Sequence, residues 1–263
     1  MKAILFDLDD TLLVDEASNR DAMAAAARAA RDAHGVDAGR FEAAAEAAAR
    51  ALFAAGPARA FCERIGISPH ECLWGDFSGP GEETKTLRRW LPGFRSGVFG
   101  AALREFLIVV DDEEAAALCG AFASARRKQN ILLPDAAETL LRLKADHRLG
   151  LVTNGDPGLQ RMKLAASGLA PLFDTVVVSG EFGTGKPEAA IFHAALDELG
   201  VPPAKAAMVG NSLARDIAGA KAAGLAHAIW IEVPGAEEFA ETTPDATIRG
   251  LHELPRILAG QAS

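Results

Sequence analysis

The stretch ILFDLDDTLL, residues 4–13, decides how this chain is interpreted. Its first residues are apolar and predict a buried strand over residues 2–8. Asp7, Asp9 and Asp10 then follow within four positions. Carboxylates that lie close together repel one another and are costly to bury, so their place at the end of a core strand calls for a counter-charge. The stretch therefore predicts a site for a divalent cation.

The composition excludes several classes of protein. The chain has 263 residues, 49% of them hydrophobic, which suffices for a large core with a smaller second domain. Its net charge of −9 argues against a nucleic-acid partner, because nucleic-acid binders present a basic face. No apolar run approaches the roughly 20 residues that span a bilayer, and the N-terminus is unlike a signal peptide. We expect no membrane association, a cytoplasmic location, and free, mostly core thiols at Cys62, Cys72 and Cys119.

The pattern of apolar residues divides the chain into two parts. Residues 14–130 carry Ala-rich helical patterns, with a turn-rich stretch at 75–84, further helices near 97–107 and 113–128, and an ambiguous apolar run at 106–110. Later residues alternate apolar strands with helices, which predicts a parallel sheet covered on both faces. We expect an α/β fold: a Rossmann-like three-layer core of residues 1–13 and 131–263, with an all-helical domain of residues 14–130 inserted after the first strand.

Polar side chains gather at the ends of four predicted strands. In order along the chain they are Asp7 and Asp9, then Thr153 and Asn154, then Lys186, then Asn211 with Asp216. Each has an ordinary structural explanation as a cap, a turn residue or a solvated lysine. Ligands of open parallel sheets bind at the carboxyl ends of the strands, so the joint occurrence favours a functional site.

The residue types suit phosphoryl transfer. Carboxylates are hard oxygen ligands for Mg²⁺, and the cation would relieve the repulsion among the aspartates. One carboxylate can attack phosphorus, while a second, in its protonated form, can give a proton to the leaving oxygen and later activate water. Thr11, Thr153, Asn154 and nearby backbone N–H groups can hold phosphate oxygens, and Lys186 adds a positive charge.

Four motifs resemble those of the haloacid dehalogenase superfamily of phosphohydrolases, in the family's order. They are DLDDT at 7–11, Thr153 in LVTNG, Lys186 in GKPEAAIF, and VGNSLARDIAGAKAAGL at 209–225. The resemblance implies that Asp7 is the nucleophile and Asp9 the general acid/base. It implies that the Asp7 carboxylate, the Asp9 backbone carbonyl and the Asp216 carboxylate hold Mg²⁺. It also implies that residues 14–130 form a helical cap that closes over the site.

Two positions depart from the family pattern. Asn211 stands where the fourth motif often has Asp, and an amide oxygen can orient a metal-bound water but brings no charge. Asp10 stands where many relatives have Gly, and we expect it to be an exposed loop residue.

The resemblance favours a Mg²⁺-dependent phosphatase that acts on a small phosphorylated metabolite through an aspartyl phosphate, because the true dehalogenases of the superfamily lack the second aspartate. Residues 151–192 are similar to members that act on sugar acid phosphates, such as N-acylneuraminate 9-phosphate, and on nucleoside monophosphates. A phosphomutase, which uses the same four motifs, stays open as an alternative. So does a catalytically inert binding protein, which Asn211 alone supports.

Substrate choice is expected to lie with the helical insertion, where an arginine could pair with a substrate carboxylate. The candidates are Arg59, Arg88, Arg89, Trp90, Arg95, Arg126, Arg127 and Lys128. Lys85, the candidate Schiff-base lysine of a phosphonatase, falls in the turn-rich segment without a sign of burial. A dimerisation surface on the insertion would need exposed aromatic residues among Trp74, Phe77 and Trp90, and we expect a monomer or a homodimer.

Overall fold

The sheet consists of short strands whose residues are mostly apolar and mostly buried. The structure, a computed structural model, describes residues 1–233 and 242–260. The strands are β1 (Ala3–Phe6), β2 (Arg148–Thr153), β3 (Thr175–Val178), β4 (Ala206–Gly210), β5 (His227–Ile231) and β6 (Ala246–Ile248). They pair in the order β3-β2-β1-β4-β5-β6, and every pair is parallel. The predicted α/β class with a parallel sheet is confirmed.

The helices divide between the two parts of the chain. The insertion contains α1 (Glu16–His34), α2 (Ala38–Ala54), α3 (Arg59–Ile65), α4 (Pro69–Trp74), α5 (Glu82–Arg104) and α6 (Asp112–Arg127). The remainder contains α7 (Ala136–Lys144), α8 (Pro157–Ala166), α9 (Ser179–Phe182), α10 (Ala189–Leu199), α11 (Ala218–Ala222) and α12 (Leu254–Gly260). No helix among the described residues is both long and apolar enough to cross a membrane.

Helices cover both faces of the sheet, as the sequence predicts. Successive side chains of a strand point to opposite faces. Ile4 and Phe6 of β1 accordingly belong to one hydrophobic cluster, which includes Leu140 of α7. Leu5 belongs to a second cluster, which includes Phe192 of α10. The central strand is thus buried by helices on either side, and its carboxyl end is the edge at which Asp7 follows.

The chain forms two compact units. One comprises Met1–Asp15 with Ile131–Ser263, and the other comprises Glu16–Asn130. Residues 14 and 15 group with the sheet, whereas the sequence places the insertion boundary at residue 14. Within the sheet unit the two connections to the insertion pair with each other: Val14 N donates to Ile131 O at 2.8 Å, and Leu133 N donates to Leu12 O at 2.8 Å. Residues 234–241 and 261–263 of the predicted core segment lie outside the described residues.

The helical unit contains no strand between Glu16 and Asn130. Helix α5 is longer than predicted, because it starts inside the stretch interpreted as turn-rich and continues through Pro92. The ambiguous run at 106–110 is neither helix nor strand, and Leu107 is 95% exposed. The three cysteines are free and buried, which confirms that prediction.

Candidate active site

Two aspartates share one buried lysine at the carboxyl end of the central strands. Asp7 follows β1, and its backbone N–H donates to Val209 O of β4 at 3.0 Å. Lys186 Nζ lies 2.7 Å from Asp7 Oδ1 and 2.7 Å from Asp216 Oδ1. The side chains of Lys186 and Asp216 are 2% and 0% exposed. Residues 7, 186 and 216, which come from three distant parts of the sequence, therefore form one charged cluster, as the motifs predict.

Burial and the neighbouring charges shift the pKa values in this cluster. Burial raises the pKa of the Asp7 carboxyl above its ordinary value, and the Asp216 carboxylate adds to that rise, while Lys186 opposes it. Burial alone would lower the pKa of Lys186, but the two aspartates more than offset this and raise it. Lys186 is thus held as a cation beside the buried Asp216 and the partly buried Asp7.

The Asp216 side chain is held by the turn that follows β4. Ser212 N donates to Asp216 Oδ2 at 2.9 Å, and Asp216 N donates to Ser212 O at 2.8 Å. Residues Leu213–Ile217 form a π-helical turn. Gly210 is required beside it, because a Cβ at this position would lie 2.4 Å from Asp216 Oδ2. The other carboxylate oxygen, Oδ1, is left facing Lys186 and Asp7.

The donor atoms fit Mg²⁺. Among residues 1–233 and 242–260 no three acidic, histidine or cysteine side chains cluster as a metal site. Asp7 and Asp216 nevertheless direct one oxygen each at the same cationic group. Mg²⁺ is usually held by only one or two carboxylates together with waters and substrate phosphate oxygens. The pair of carboxylates therefore suits this ion.

Asn154 fixes the segment that carries Lys186. Its Oδ1 accepts from Lys186 N at 2.8 Å, and its Nδ2 donates to Lys186 O at 3.0 Å. Gly185 allows this approach, because a Cβ there would lie 2.6 Å from Asn154 Oδ1. The side chain that the sequence assigns to phosphate binding is thus engaged in positioning the lysine.

The two candidate phosphate-binding threonines are buried in the same unit. Thr11 Oγ1 donates to Asn211 Oδ1 at 3.4 Å, and Thr153 Oγ1 accepts from Gln160 Nε2 at 2.6 Å. The Asn211 backbone carbonyl accepts from Trp230 Nε1 at 2.7 Å. Of these two bonds to Asn211, only the one from Thr11 uses its side chain, and a neutral amide oxygen is sufficient to accept it.

Asp9 lies among side chains that the sequence interpretation missed. Both of its carboxylate oxygens are 3.0 Å from Lys163 Nζ, and Gln160 Nε2 donates to Oδ2 at 2.9 Å. Lys163 Nζ is also 2.9 Å from Asp15 Oδ1. Burial raises the pKa of the Asp9 carboxyl, the Asp15 carboxylate raises it further, and Lys163 opposes both. The raised pKa favours the protonated form that a general acid needs.

Asp10 is not the exposed loop residue that we expected. It is partly buried, and its Oδ1 accepts from Asp15 N at 2.9 Å. Its φ of 54° lies in the left-handed region, which Gly and, less readily, Asp and Asn adopt. The backbone conformation therefore explains why Gly suits this position in the resembling family.

Several residues that the sequence suggests for substrate selection instead form hydrogen bonds within the helical unit. Arg95 donates to Cys72 O and Gly75 O, and Arg127 donates to Trp74 O. Arg126 is buried and donates to Asn19 Oδ1. Trp74 and Phe77 are buried, so neither supports an aromatic dimerisation surface. Exposed Lys85 lies in α5 and pairs with Glu82 at 2.6 Å, without the burial that a Schiff-base lysine requires.

A model of the haloacid dehalogenase-like hydrolases matches residues 1–224. The chain is 40% identical over 255 residues to the phosphoserine phosphatase of Thermus thermophilus, covering 97% of this chain and 98% of that protein. It is 33% identical over 166 residues to the N-acylneuraminate-9-phosphatase of Mus musculus, covering 62% and 67%. The solved structure of the HAD-hydrolase YfnB from Bacillus subtilis, bound to magnesium, superimposes with a TM-score of 0.63 at 26% identity over 98% of both chains.

The chain therefore belongs to the haloacid dehalogenase-like hydrolases, which confirms the family inferred from the four motifs. The names of its relatives agree with the predicted enzyme class, a phosphoric monoester hydrolase.

Proposed function

We propose that this chain is a Mg²⁺-dependent phosphatase that hydrolyses a small phosphorylated metabolite through an aspartyl phosphate on Asp7. The observation that carries the proposal is the convergence of Asp7 and Asp216 on the buried Lys186 at the end of the central strand. A nucleophilic carboxylate beside a fixed positive charge is what phosphoryl transfer requires of a protein.

Asp7 acts as the nucleophile, and Asp9 acts as the general acid and then as the general base. Asp7 attacks phosphorus as the bond to the leaving oxygen breaks, and Asp9 gives that oxygen its proton. Water then attacks the phosphorus, the bond to Asp7 breaks, and Asp9 takes the proton of the water, which restores both carboxyl groups. Thr11, Thr153 and Lys186 hold the phosphate oxygens. Asp7, Asp216 and the Asp9 carbonyl would hold Mg²⁺, and the ion would supply positive charge that offsets the charge of the phosphate.

Phosphoserine is the first substrate to test. The relative that acts on it aligns with nearly the whole chain, helical insertion included, whereas the N-acylneuraminate-9-phosphatase aligns with 62% of it. Substrate choice in our interpretation depends on the insertion, so similarity across that part of the chain carries more weight than similarity of the sheet unit alone. A phosphomutase gains no support from these relatives, which are named phosphatases.

The test measures phosphate release from a panel of phosphate esters in Mg²⁺ and in EDTA. The panel contains phosphoserine, N-acylneuraminate 9-phosphate, nucleoside monophosphates, phosphoglycolate and hexose phosphates. We expect Mg²⁺-dependent release, with the highest kcat/KM on phosphoserine and none from Asp7→Asn. Folded protein that releases no phosphate from any ester contradicts the phosphatase proposal. If another ester has a kcat/KM about tenfold or more above that of phosphoserine, roughly 1.4 kcal/mol in transition-state binding, phosphoserine is not the preferred substrate, but the phosphatase proposal stands.

A further inference from the structure

A second buried lysine lies beside the active site and has no part in the reaction described above. The side chain of Lys163 is 3% exposed, and its Nζ contacts both oxygens of Asp9 and one of Asp15. Lysine is seldom buried this deeply unless it is paired, and here it is shared by two carboxylates. The Asp9–Lys163–Asp15 group thus repeats the arrangement of Asp7, Lys186 and Asp216.

Gln160, one helical turn before Lys163, completes the contacts to Asp9. It is 1% exposed. Its Nε2 lies 2.9 Å from Asp9 Oδ2, 2.6 Å from Thr153 Oγ1 and 2.9 Å from Asn154 O. Residues three apart share one face of a helix, so α8 presents both side chains to the same carboxylate. Gln160 also connects Asp9 to a residue assigned to phosphate binding.

The start of α8 is fixed by its capping residues. Asp156 is the N-cap, its Oδ1 accepts from Leu159 N at 3.0 Å, and Pro157 occupies the first turn. Gly155 N, just before the cap, donates to Ser179 Oγ at 2.9 Å. The cap fixes the start of α8 close to the carboxyl end of β2. The side chains of Gln160 and Lys163 therefore have defined positions at the sheet edge.

We propose that Gln160 and Lys163 are positioning residues that hold the Asp9 carboxyl group for proton transfer to the leaving oxygen. The inference rests on the proposed function, because it assigns Asp9 as the acid. A carboxyl group free to rotate spends little time in line with the leaving oxygen, and proton transfer depends on that alignment. Asp15 balances the charge of Lys163, so the lysine restrains Asp9 within a group that contains two carboxyls and one ammonium.

The test compares two esters with different leaving groups. The leaving oxygen of an alkyl phosphate such as phosphoserine must be protonated as it departs, whereas p-nitrophenolate leaves as a stable anion. The kcat/KM value includes this departure but excludes the later hydrolysis of the aspartyl phosphate. A defect in the alignment of Asp9 therefore lowers kcat/KM for the alkyl ester more than for p-nitrophenyl phosphate, while a general loss of structure lowers both alike.

Gln160→Leu and Lys163→Met are the test variants, and Arg161→Met is the matched control. Arg161 lies on the same helix between them, but it is exposed and pairs with Glu181 at 2.6 Å. We expect the test variants to lose about 10- to 100-fold in kcat/KM on the alkyl ester and about threefold or less on p-nitrophenyl phosphate. Lys163→Arg should recover part of the loss. The control should match the wild type on both esters.

Equal losses on the two esters, or no loss, overturn the positioning role. If Lys163→Met does not fold, the double variant Lys163→Met/Asp15→Asn removes a carboxylate together with the lysine and is measured in its place. A wild-type protein that hydrolyses neither ester refutes the proposed function and this inference with it. An active wild type whose variants lack the leaving-group dependence refutes this inference alone.

Discussion

Replacing Lys186 with methionine tests whether its charge holds the active-site carboxylates in place. The variant keeps most of the side-chain volume, so little packing is lost. It removes the ammonium that lies 2.7 Å from both Asp7 and Asp216, whose carboxyl groups then face each other away from water. Removing one partner of a buried ion pair costs about 3–5 kcal/mol, because the other charge is left uncompensated. We expect the free energy of unfolding to fall by that amount.

Urea denaturation near neutral pH in EDTA, followed by far-UV circular dichroism, measures this loss. Lys221→Met is the control: its Nζ lies 2.9 Å from Asp245 Oδ1, but the two side chains are 40% and 35% exposed. Exposed pairs contribute little, so we expect the control to lose less than about 1 kcal/mol. A Lys186→Met protein that loses no more than its control would show that the buried carboxylates do not depend on this lysine.

The same variant gives a test of metal binding. A ligand that binds only the folded state raises stability by mass action. In Lys186→Met a divalent cation no longer competes with the ammonium for the two carboxylates, so Mg²⁺ should stabilise the variant more than the wild type. Equal stabilisation of both proteins would argue that Mg²⁺ binds elsewhere.

Four further outcomes are expected. Asp7→Asn should abolish turnover while its circular dichroism spectrum stays that of the wild type; turnover with normal Mg²⁺ dependence would exclude Asp7 as the nucleophile. Asp216→Ala should raise the Mg²⁺ concentration needed for half-maximal rate, and an unchanged value would remove Asp216 from the metal site. Phe192→Ala empties a fully buried position and should cost about 3–5 kcal/mol by urea denaturation. Burial raises the pKa of the Cys119 thiol to about 11, so the native protein should react slowly with a thiol reagent at about pH 8 and rapidly once denatured.

The sheet could be predicted from the sequence because its strands are mostly continuous apolar runs. They alternate with helices in which apolar and polar residues are mixed. The sequence pattern does not predict strand β6, since three residues at a sheet edge carry little periodicity. Helix α5 is longer than predicted because it begins inside the turn-rich stretch 75–84, well before the helical pattern near 97–107. The helix continues through the proline, so its packed face determines the local structure more than propensity does.

The residues of the site could be predicted where they belong to a recognised motif, and not where they lie on α8. Asp7, Lys186 and Asp216 belong to motifs in the segments that follow β1, β3 and β4, and the structure brings them together. Gln160 and Lys163 resemble the solvated residues of an ordinary amphipathic helix, and both types are mostly exposed in proteins. Their signal was positional: they occupy the first turns of a helix whose Asp-Pro start comes just after the carboxyl end of β2.

The pairing of residues 12–14 with residues 131–133 has a consequence for how such proteins diversify. The two ends of the insertion leave the sheet unit side by side, and hydrogen bonds within that unit hold them there. The entropic cost of closing a loop grows only slowly with its length. The paired residues 12–14 and 131–133 can therefore connect to a short or a long insertion at similar cost. Exchange of everything between residues 15 and 131 for another helical domain would keep the strand order and the charged cluster intact. If the proposed function holds, a new insertion at this point could change the substrate while Asp7, Lys186 and Asp216 stay in place.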